Sequence, residues 1–226
     1  MSTYRIGIPI IDQVDLLDVS NACEVFRWIQ TFWTGNTVEA SLIGQTMDPV
    51  VTGNGAKLSP DTTFGAMLSP FTQLDLIFVP GGGTPYVNSA IANSDLLNFV
   101  STQAKNAKWV TSVCTGAFVL AKIGALDGKP CTTHWQFTQK LQTDFPNVQV
   151  VNGWPRMQQA GNVVTGGGLS SAIDESLWLA GQIAGESVGK QVELMIQYNP
   201  QPPWAVGDPS IADFGTYSAV MKATGG

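Results

Sequence analysis

Short continuous apolar runs alternate with segments whose apolar residues recur at helical spacing, from one end of the chain to the other. Tyr4 to Ile11 is β-rich and continuous, as a strand covered on both faces should be, and Asp18 to Phe32 sets Val19, Ala22, Phe26, Ile29 and Phe32 on one helical stripe. Val38 to Ile43 reads as a second strand, whereas Gln45 to Ser69, rich in Gly, Pro and Thr, reads as hairpins or loop. Asp75 to Val79 is a strand that ends at Pro80-Gly81-Gly82-Gly83. Ser94 to Ala107 is a helix capped by Ser94. Trp109 to Val113 is a strand and Thr115 to Ile123 a helix. Further on, His134 to Asp144 reads as helix, Val148 to Val151 and Val163 to Thr165 as strands, and Ser170 to Ala184 as a long apolar helix opened by Gly166-Gly167-Gly168.

Strands followed by helices in this order predict an α/β fold with a mostly parallel sheet wound on both faces. Ligands of such a sheet bind at the carboxyl ends of its strands. The Gly-rich turns at 80–85, 114–116 and 165–168 all fall there. No repeat, charge run or linker divides the 226 residues, so residues 1–226 are expected to form one domain. The tail from Tyr198, with Pro200, Pro202, Pro203 and Trp204, is expected to be extended.

Charge and cysteine content narrow the function classes. Lys+Arg number 11 against 17 Asp+Glu, a net charge of −6, so the field that gathers nucleic acid or an anionic membrane is missing. The apolar runs fall far short of the ~20 residues of a membrane span, and the N-terminus lacks signal-peptide order, so a cytoplasmic protein is expected. Three widely spaced cysteines, Cys23, Cys114 and Cys131, argue against a disulfide framework and for reduced thiols.

One of these thiols is placed to react. In Trp109-Val-Thr-Ser-Val-Cys114-Thr-Gly a buried strand runs straight into a helix with Cys114 at the junction, the arrangement of a nucleophile elbow. A helix start lowers a thiol's pKa and stabilises its thiolate. The Thr115 amide would face an anion developing on a substrate, and the Gly81-Gly82 loop could supply a second amide, from Gly82. The plainer reading is that Cys114 is a small buried hydrophobe.

Val113-Cys114-Thr115-Gly116, the Pro80-Gly81-Gly82-Gly83 strand end, Thr132-Thr133-His134-Trp135, and Thr165-Gly166-Gly167-Gly168 followed by Ile173-Asp174 together resemble the ThiJ/PfpI superfamily, and within it the isonitrile (isocyanide) hydratases. The resemblance runs over roughly residues 4 to 207, including Tyr198-Asn-Pro-Gln-Pro-Pro-Trp, and an ordered set of motifs is more specific than any single glycine run. It implies a flavodoxin-like domain, a homodimer, and a cysteine nucleophile working without metal or organic cofactor. By the same resemblance Cys114 is the nucleophile, Asp18 the adjacent carboxyl group and Thr115 the residue that follows the nucleophile. Asp18 stands where most of the superfamily has Glu, the pattern of the hydratases. The implied reaction is addition of water to an isocyanide: attack by Cys114 gives a thioimidate, Asp18 delivers the proton, and water then releases an N-substituted formamide.

Other residues keep two readings each. Asp18 precedes the first helix and is equally well an N-cap. His134, the sole histidine, either lies near the thiol or is a hydrogen-bonded structural histidine. Proteases of the superfamily carry His directly after the cysteine and related amidotransferases a later His-x-Glu pair. Thr115 stands in the first place and no later histidine follows, so both activities rank below the hydratase. Cys114, Cys131 and His134 are too widely spaced to predict a metal site. Gly81, Gly83, His134, Trp135, Gly167, Gly168 and Leu169 are expected to line the pocket, with Trp154 as a further apolar wall. Two alternatives remain: a glyoxalase- or deglycase-type enzyme on methylglyoxal-like aldehydes, and a ligand or redox sensor resembling the sensing half of arabinose-regulator-type transcription factors. In those regulators a helix-turn-helix domain follows, so DNA binding here is expected to need another polypeptide.

Overall fold

The computed structural model describes residues 2–68 and 72–224. It opens with β1 (Thr3–Pro9), α1 (Leu16–Phe32) and β2 (Thr37–Gly44). The segment from 45 then forms β3 (Val50–Val51) and β4 (Lys57–Leu58), a two-stranded hairpin, followed by β5 (Thr62–Thr63) and α2 (Phe64–Met67); residue 69, its expected end, lies outside the described residues. Next come β6 (Leu76–Val79), α3 (Thr84–Ala92), α4 (Ser94–Ala104), β7 (Trp109–Ser112) and α5 (Ala117–Lys122). The last part holds β8 (Pro130–Cys131), α6 (Thr138–Asp144), β9 (Gln149–Val150), β10 (Met157–Ala160), β11 (Val163–Gly166), α7 (Ser171–Ala184), α8 (Glu186–Met195) and α9 (Phe214–Thr224).

Seven strands form the main sheet in the order β10-β11-β7-β6-β1-β2-β5. All its pairings are parallel except β10 against β11. Helices α1, α7 and α8 pack together, as do α3, α4 and α5, which gives the two covering layers. Both faces being covered, β6 is buried at all four residues and shows no polar alternation. Phe26 of α1 meets Phe78 of β6 edge-on at 5.6 Å, and Trp178 of α7 meets Trp109 of β7 at 5.4 Å. Phe26 and Phe78 are fully buried, a burial that contributes roughly 1.5–3 kcal/mol per side chain; the two tryptophans are partly buried.

The chain runs from β1 to β2 on one side and then crosses to β6, β7 and β11 on the other, so the strand order reverses beside β1. A crevice opens at such a reversal, at the carboxyl ends of the strands. The loops after β1, β6, β7 and β11 meet there.

Several local expectations give way to tertiary structure. The first helix starts earlier than expected, with Asp15 as its N-cap, and Asp18 spends its carboxylate elsewhere. Asn93, not Ser94, caps α4: its side chain accepts from the amides of Asp95 and Leu96 at 3.1 and 3.0 Å. Helix α3 follows the Gly-rich loop directly because Pro85, near its start, presets the helical φ. The strand expected at 148–151 pairs with β8 outside the main sheet. The tail is irregular to residue 213 and then helical as α9, not extended throughout.

Candidate active site

Cys114 sits between β7 and α5 with φ of 55°, in the left-handed region that a residue with a side chain enters at about 1–3 kcal/mol. Neighbouring loops hold it there. Its amide donates to the Gly167 carbonyl at 2.7 Å, and its carbonyl accepts from Thr133 Oγ1 at 2.8 Å. Gly116 closes the turn, and a Cβ there would lie 2.1 Å from the Val79 carbonyl oxygen and 2.8 Å from that of Pro80. Those contacts are backbone atoms at the end of central strand β6 and of the residue after it, which cannot step aside. Gly116→Ala is therefore expected to destabilise the fold by about 3–5 kcal/mol, read as a drop in the urea midpoint at constant slope.

Asp18 reaches the thiol from the first turn of α1. Its Oδ2 accepts the Gly81 amide at 2.8 Å, Oδ1 has no hydrogen-bond partner, and the residue is fully buried. The ligand atoms of Asp15, Asp18 and Cys114 lie within 4.8 Å of one another. Burial above all, and then the neighbouring Asp15, push the Asp18 carboxyl up to about 8; the Gly81 amide and the thiol pull it back in part. The thiol is itself held well above its usual range, first by burial and then by Asp18 and Asp15, and the Thr115 amide and hydroxyl do not offset this.

The expected helix start is displaced from the thiol. The turn at 114–116 is a 3-10 turn, α5 begins only at Ala117, and the Cys114 amide is committed to Gly167. Burial and the mutual repulsion of the two groups favour the protonated form of each.

Thr115 ties the elbow to the β6–α3 loop. Its Oγ1 donates to the Gly82 carbonyl at 2.7 Å and accepts the Gly82 amide at 2.8 Å. The Gly82 amide, expected as a second oxyanion donor, is thus already engaged, while the Thr115 amide is directed at the thiol. Gly81 must lack a side chain because a Cβ would lie 2.5 Å from the Thr115 nitrogen, and Gly83 caps α3. Tyr86 of α3 donates to the Pro80 carbonyl at 2.8 Å and holds the loop from below.

A cleft of about 480 Å³ adjoins the elbow through Thr133 and Gly167, whose atoms hold Cys114, and through Leu17, the neighbour of Asp18. His134, Trp135, Trp154, Gly168 and Leu169 line it, whereas Gly81 and Gly83 do not. The irregular tail contributes a wall through Gly207, Asp208 and Pro209. His134 packs on Gly168, where a Cβ would lie 3.1 Å from its Cδ2, and its Nδ1 accepts the Gln136 amide at 3.4 Å. Burial lowers the His134 pKa to about 4, which favours the uncharged ring; with Nδ1 accepting, its hydrogen sits on Nε2. Trp135 packs against Tyr217 of α9 with centroids 5.3 Å apart.

Three residues that sequence reasoning passed over belong to this neighbourhood. Asp15 stands three positions before Asp18, at the N-cap and third helical positions of α1, which lie side by side. Arg156 lines the cleft and is ion-paired with Asp174, which also accepts from the Tyr198 hydroxyl at 2.9 Å. Glu175 is fully buried on α7, and a charged residue within that helix's apolar stripe was the signal available for it. Among the described residues, the cluster able to present three metal-ligating atoms together is Asp15, Asp18 and Cys114; Cys131 and His134 are not part of it. All three of its members are held toward their protonated forms, so a cation there competes with bound protons.

Comparison with known proteins agrees with this architecture. The chain is 34% identical to an isonitrile hydratase of Pseudomonas putida over 218 residues, 96% of this chain and 89% of that one. It is 24% identical to the transcriptional regulator GbdR of Pseudomonas aeruginosa, spanning 88% of this chain but 55% of the regulator, about half its length. Among solved structures, a ThiJ/PfpI family protein from Pseudomonas syringae superposes with a TM-score of 0.87 at 24% identity, covering 100% of this chain and 87% of the other. Drosophila melanogaster DJ-1beta superposes at 0.76 with 19% identity, covering 88% of this chain and all of its own. These likenesses match the flavodoxin-like parallel sheet described above. With residues 4–179 matching the family as a whole, the chain belongs to the DJ-1/PfpI family.

Proposed function

We propose that the chain is an isonitrile hydratase, with Cys114 as nucleophile and Asp18 as proton carrier. What carries the reading is a buried cysteine thiol within 4.8 Å of a buried carboxyl, in a chain that aligns over 96% of its length with such an enzyme. An isocyanide R–N≡C takes both new bonds at its terminal carbon, which suits a neutral thiol with an acid beside it. The S–H bond breaks as the S–C bond forms. Asp18 delivers its proton to the carbon, and the transient carboxylate takes up the thiol proton as sulfur bonds to that carbon, giving R–N=CH–S–Cys114. Water then adds across C=N, oxygen to carbon and hydrogen to nitrogen. The C–S bond breaks, the sulfur regains its proton from the new hydroxyl through Asp18, and R–NH–CHO leaves. Covalent catalysis of this kind divides one hard hydration into two easier steps. Neither step expels an amine, so a neutral His134 is no obstacle.

The cleft walls, Leu17, Trp135, Trp154 and Leu169, suit an apolar or aromatic R group. Incubating the purified protein with cyclohexyl or benzyl isocyanide is expected to yield the corresponding formamide, followed by NMR. Isocyanide consumed no faster than in buffer would remove the reading. The likeness to transcriptional regulators favours a second reading, in which the same cleft binds a small molecule without turning it over. Binding without formamide formation would select it.

A further inference from the structure

Glu175 is fully buried on α7, and neither of its carboxyl oxygens has a hydrogen-bond partner. Its Oε2 lies against the end of β11: a Cβ on Gly166 would come within 2.3 Å of it. Gly166 in turn abuts Val113 and precedes Gly167, whose carbonyl fixes the Cys114 amide. The carboxyl is therefore lodged beneath the elbow. Helix α7 packs against α1, which carries Asp18, and Asp18 also has one buried oxygen, Oδ1, without a partner. Two helices in contact thus each bring an incompletely bonded acid to the same dry region. Buried polar groups without partners are few in native proteins and concentrate where function requires them.

We propose that Glu175 is a positioning residue that acts through Asp18, staying protonated and turning its O–H onto the Asp18 carboxylate whenever that group has released its proton. The electrostatics require such a donor. Asp18 is faced by Asp15 from the start of its own helix, by Cys114 from the elbow and by Tyr86 from α3, and none of these is a cation. Arg156 is engaged with Asp174, and His134 is neutral. A neutral acid can donate to the transient carboxylate without adding charge, and hydrogen bonds to an ionised acceptor are the stronger kind. Burial, and secondly the Asp18 charge, hold Glu175 in the protonated form that this role needs.

The test compares Glu175→Leu and Glu175→Gln in the full chain. Infrared difference spectroscopy follows the Asp18 carboxyl through its titration, with Asp18→Asn identifying the band. In Glu175→Leu the midpoint is expected to rise by about one pH unit, the loss of one hydrogen bond to the ionised form. In Glu175→Gln, whose amide still donates, it is expected to return toward the wild-type value. The kinetic arm rests on the hydratase reading: kcat on an isocyanide falls about tenfold in the Leu variant, the alkaline limb of kcat/KM moves up with the midpoint, and Gln restores both. A folded Leu variant with an unmoved midpoint overturns the proposal, as does a Gln variant that behaves like Leu. If Leu does not fold, Glu175→Met, unbranched like glutamate, carries the same arm. If the wild type hydrates no isocyanide, the proposed function fails and the infrared titration still decides the role of Glu175.

Discussion

Cys114→Ala is expected to abolish isocyanide hydration, with kcat/KM falling by about 10³-fold or more, because the covalent route is lost as a whole. The fold is expected to survive. Alanine keeps the backbone groups that bind Gly167 and Thr133, and it is no more strained at φ 55° than cysteine is. Deleting one buried heavy atom costs about 1 kcal/mol. The measurement is formamide formation beside a urea unfolding curve: an inactive protein with a native curve supports the nucleophile, and a folded variant at full rate removes it. Cys114→Gly sharpens the comparison, since glycine tolerates this φ. It is expected to be inactive yet as stable as the alanine variant or more so, the released strain of about 1–3 kcal/mol offsetting the loss of side chain.

Asp18→Asn is expected to lower kcat by about 10²–10⁴-fold, the usual contribution of a positioned proton donor, while raising stability at pH 8. Asparagine preserves the shape and can still accept the Gly81 amide through its oxygen, but it cannot relay a proton. The stability effect follows from linkage. The folded chain holds the Asp18 proton up to about pH 8, whereas the unfolded chain releases it near 3.8, so folding loses about 1.4 kcal/mol for each pH unit climbed between those values. Asp15 and Glu175, both raised mainly by burial, work in the same direction. His134, lowered from 6.5 to about 4, opposes them only below pH 6.5, where the unfolded chain takes up a proton that the folded chain refuses. The clean window is therefore pH 6.5 to 8. There the wild-type melting temperature is expected to fall with rising pH and that of Asp18→Asn to fall less, reaching a gain on the order of a few kcal/mol at pH 8. Equal slopes in the two proteins would mean that Asp18 is ionised in the folded state. Unchanged kcat in Asp18→Asn would leave it only its hydrogen bond to the Gly81 amide.

Much of the frame was legible in the sequence because the signals are local. Apolar runs of strand length, the helical stripe through Val19, Phe26 and Ile29, and the glycines closing β6, β7 and β11 each act within a few residues. The parallel sheet and the elbow follow from them, and the crowding at Gly116 explains why Cys-Thr-Gly stands at the strand end. Polar and glycine-bearing helices were harder to read: α8 buries only Val188, Gly189 and Val192, too narrow a stripe to stand out beside α7.

The sequence by itself thus determined the alternation of the main strands and helices, the turn that sets one cysteine at a strand end, and Asp18 as an acid to weigh beside it. Only the tertiary structure decided what those groups are chemically. The partner of Asp18 lies 63 positions away at Gly81, so nothing local could show that its carboxylate leaves its own helix cap. The Gly82 amide is taken by Thr115, 33 positions on. The protonation of Cys114, Asp18 and Glu175 depends on how completely water is removed around them and on which charges remain nearby. Desolvation and partner choice come from atoms distant along the chain, whereas periodicity and turn chemistry come from neighbours.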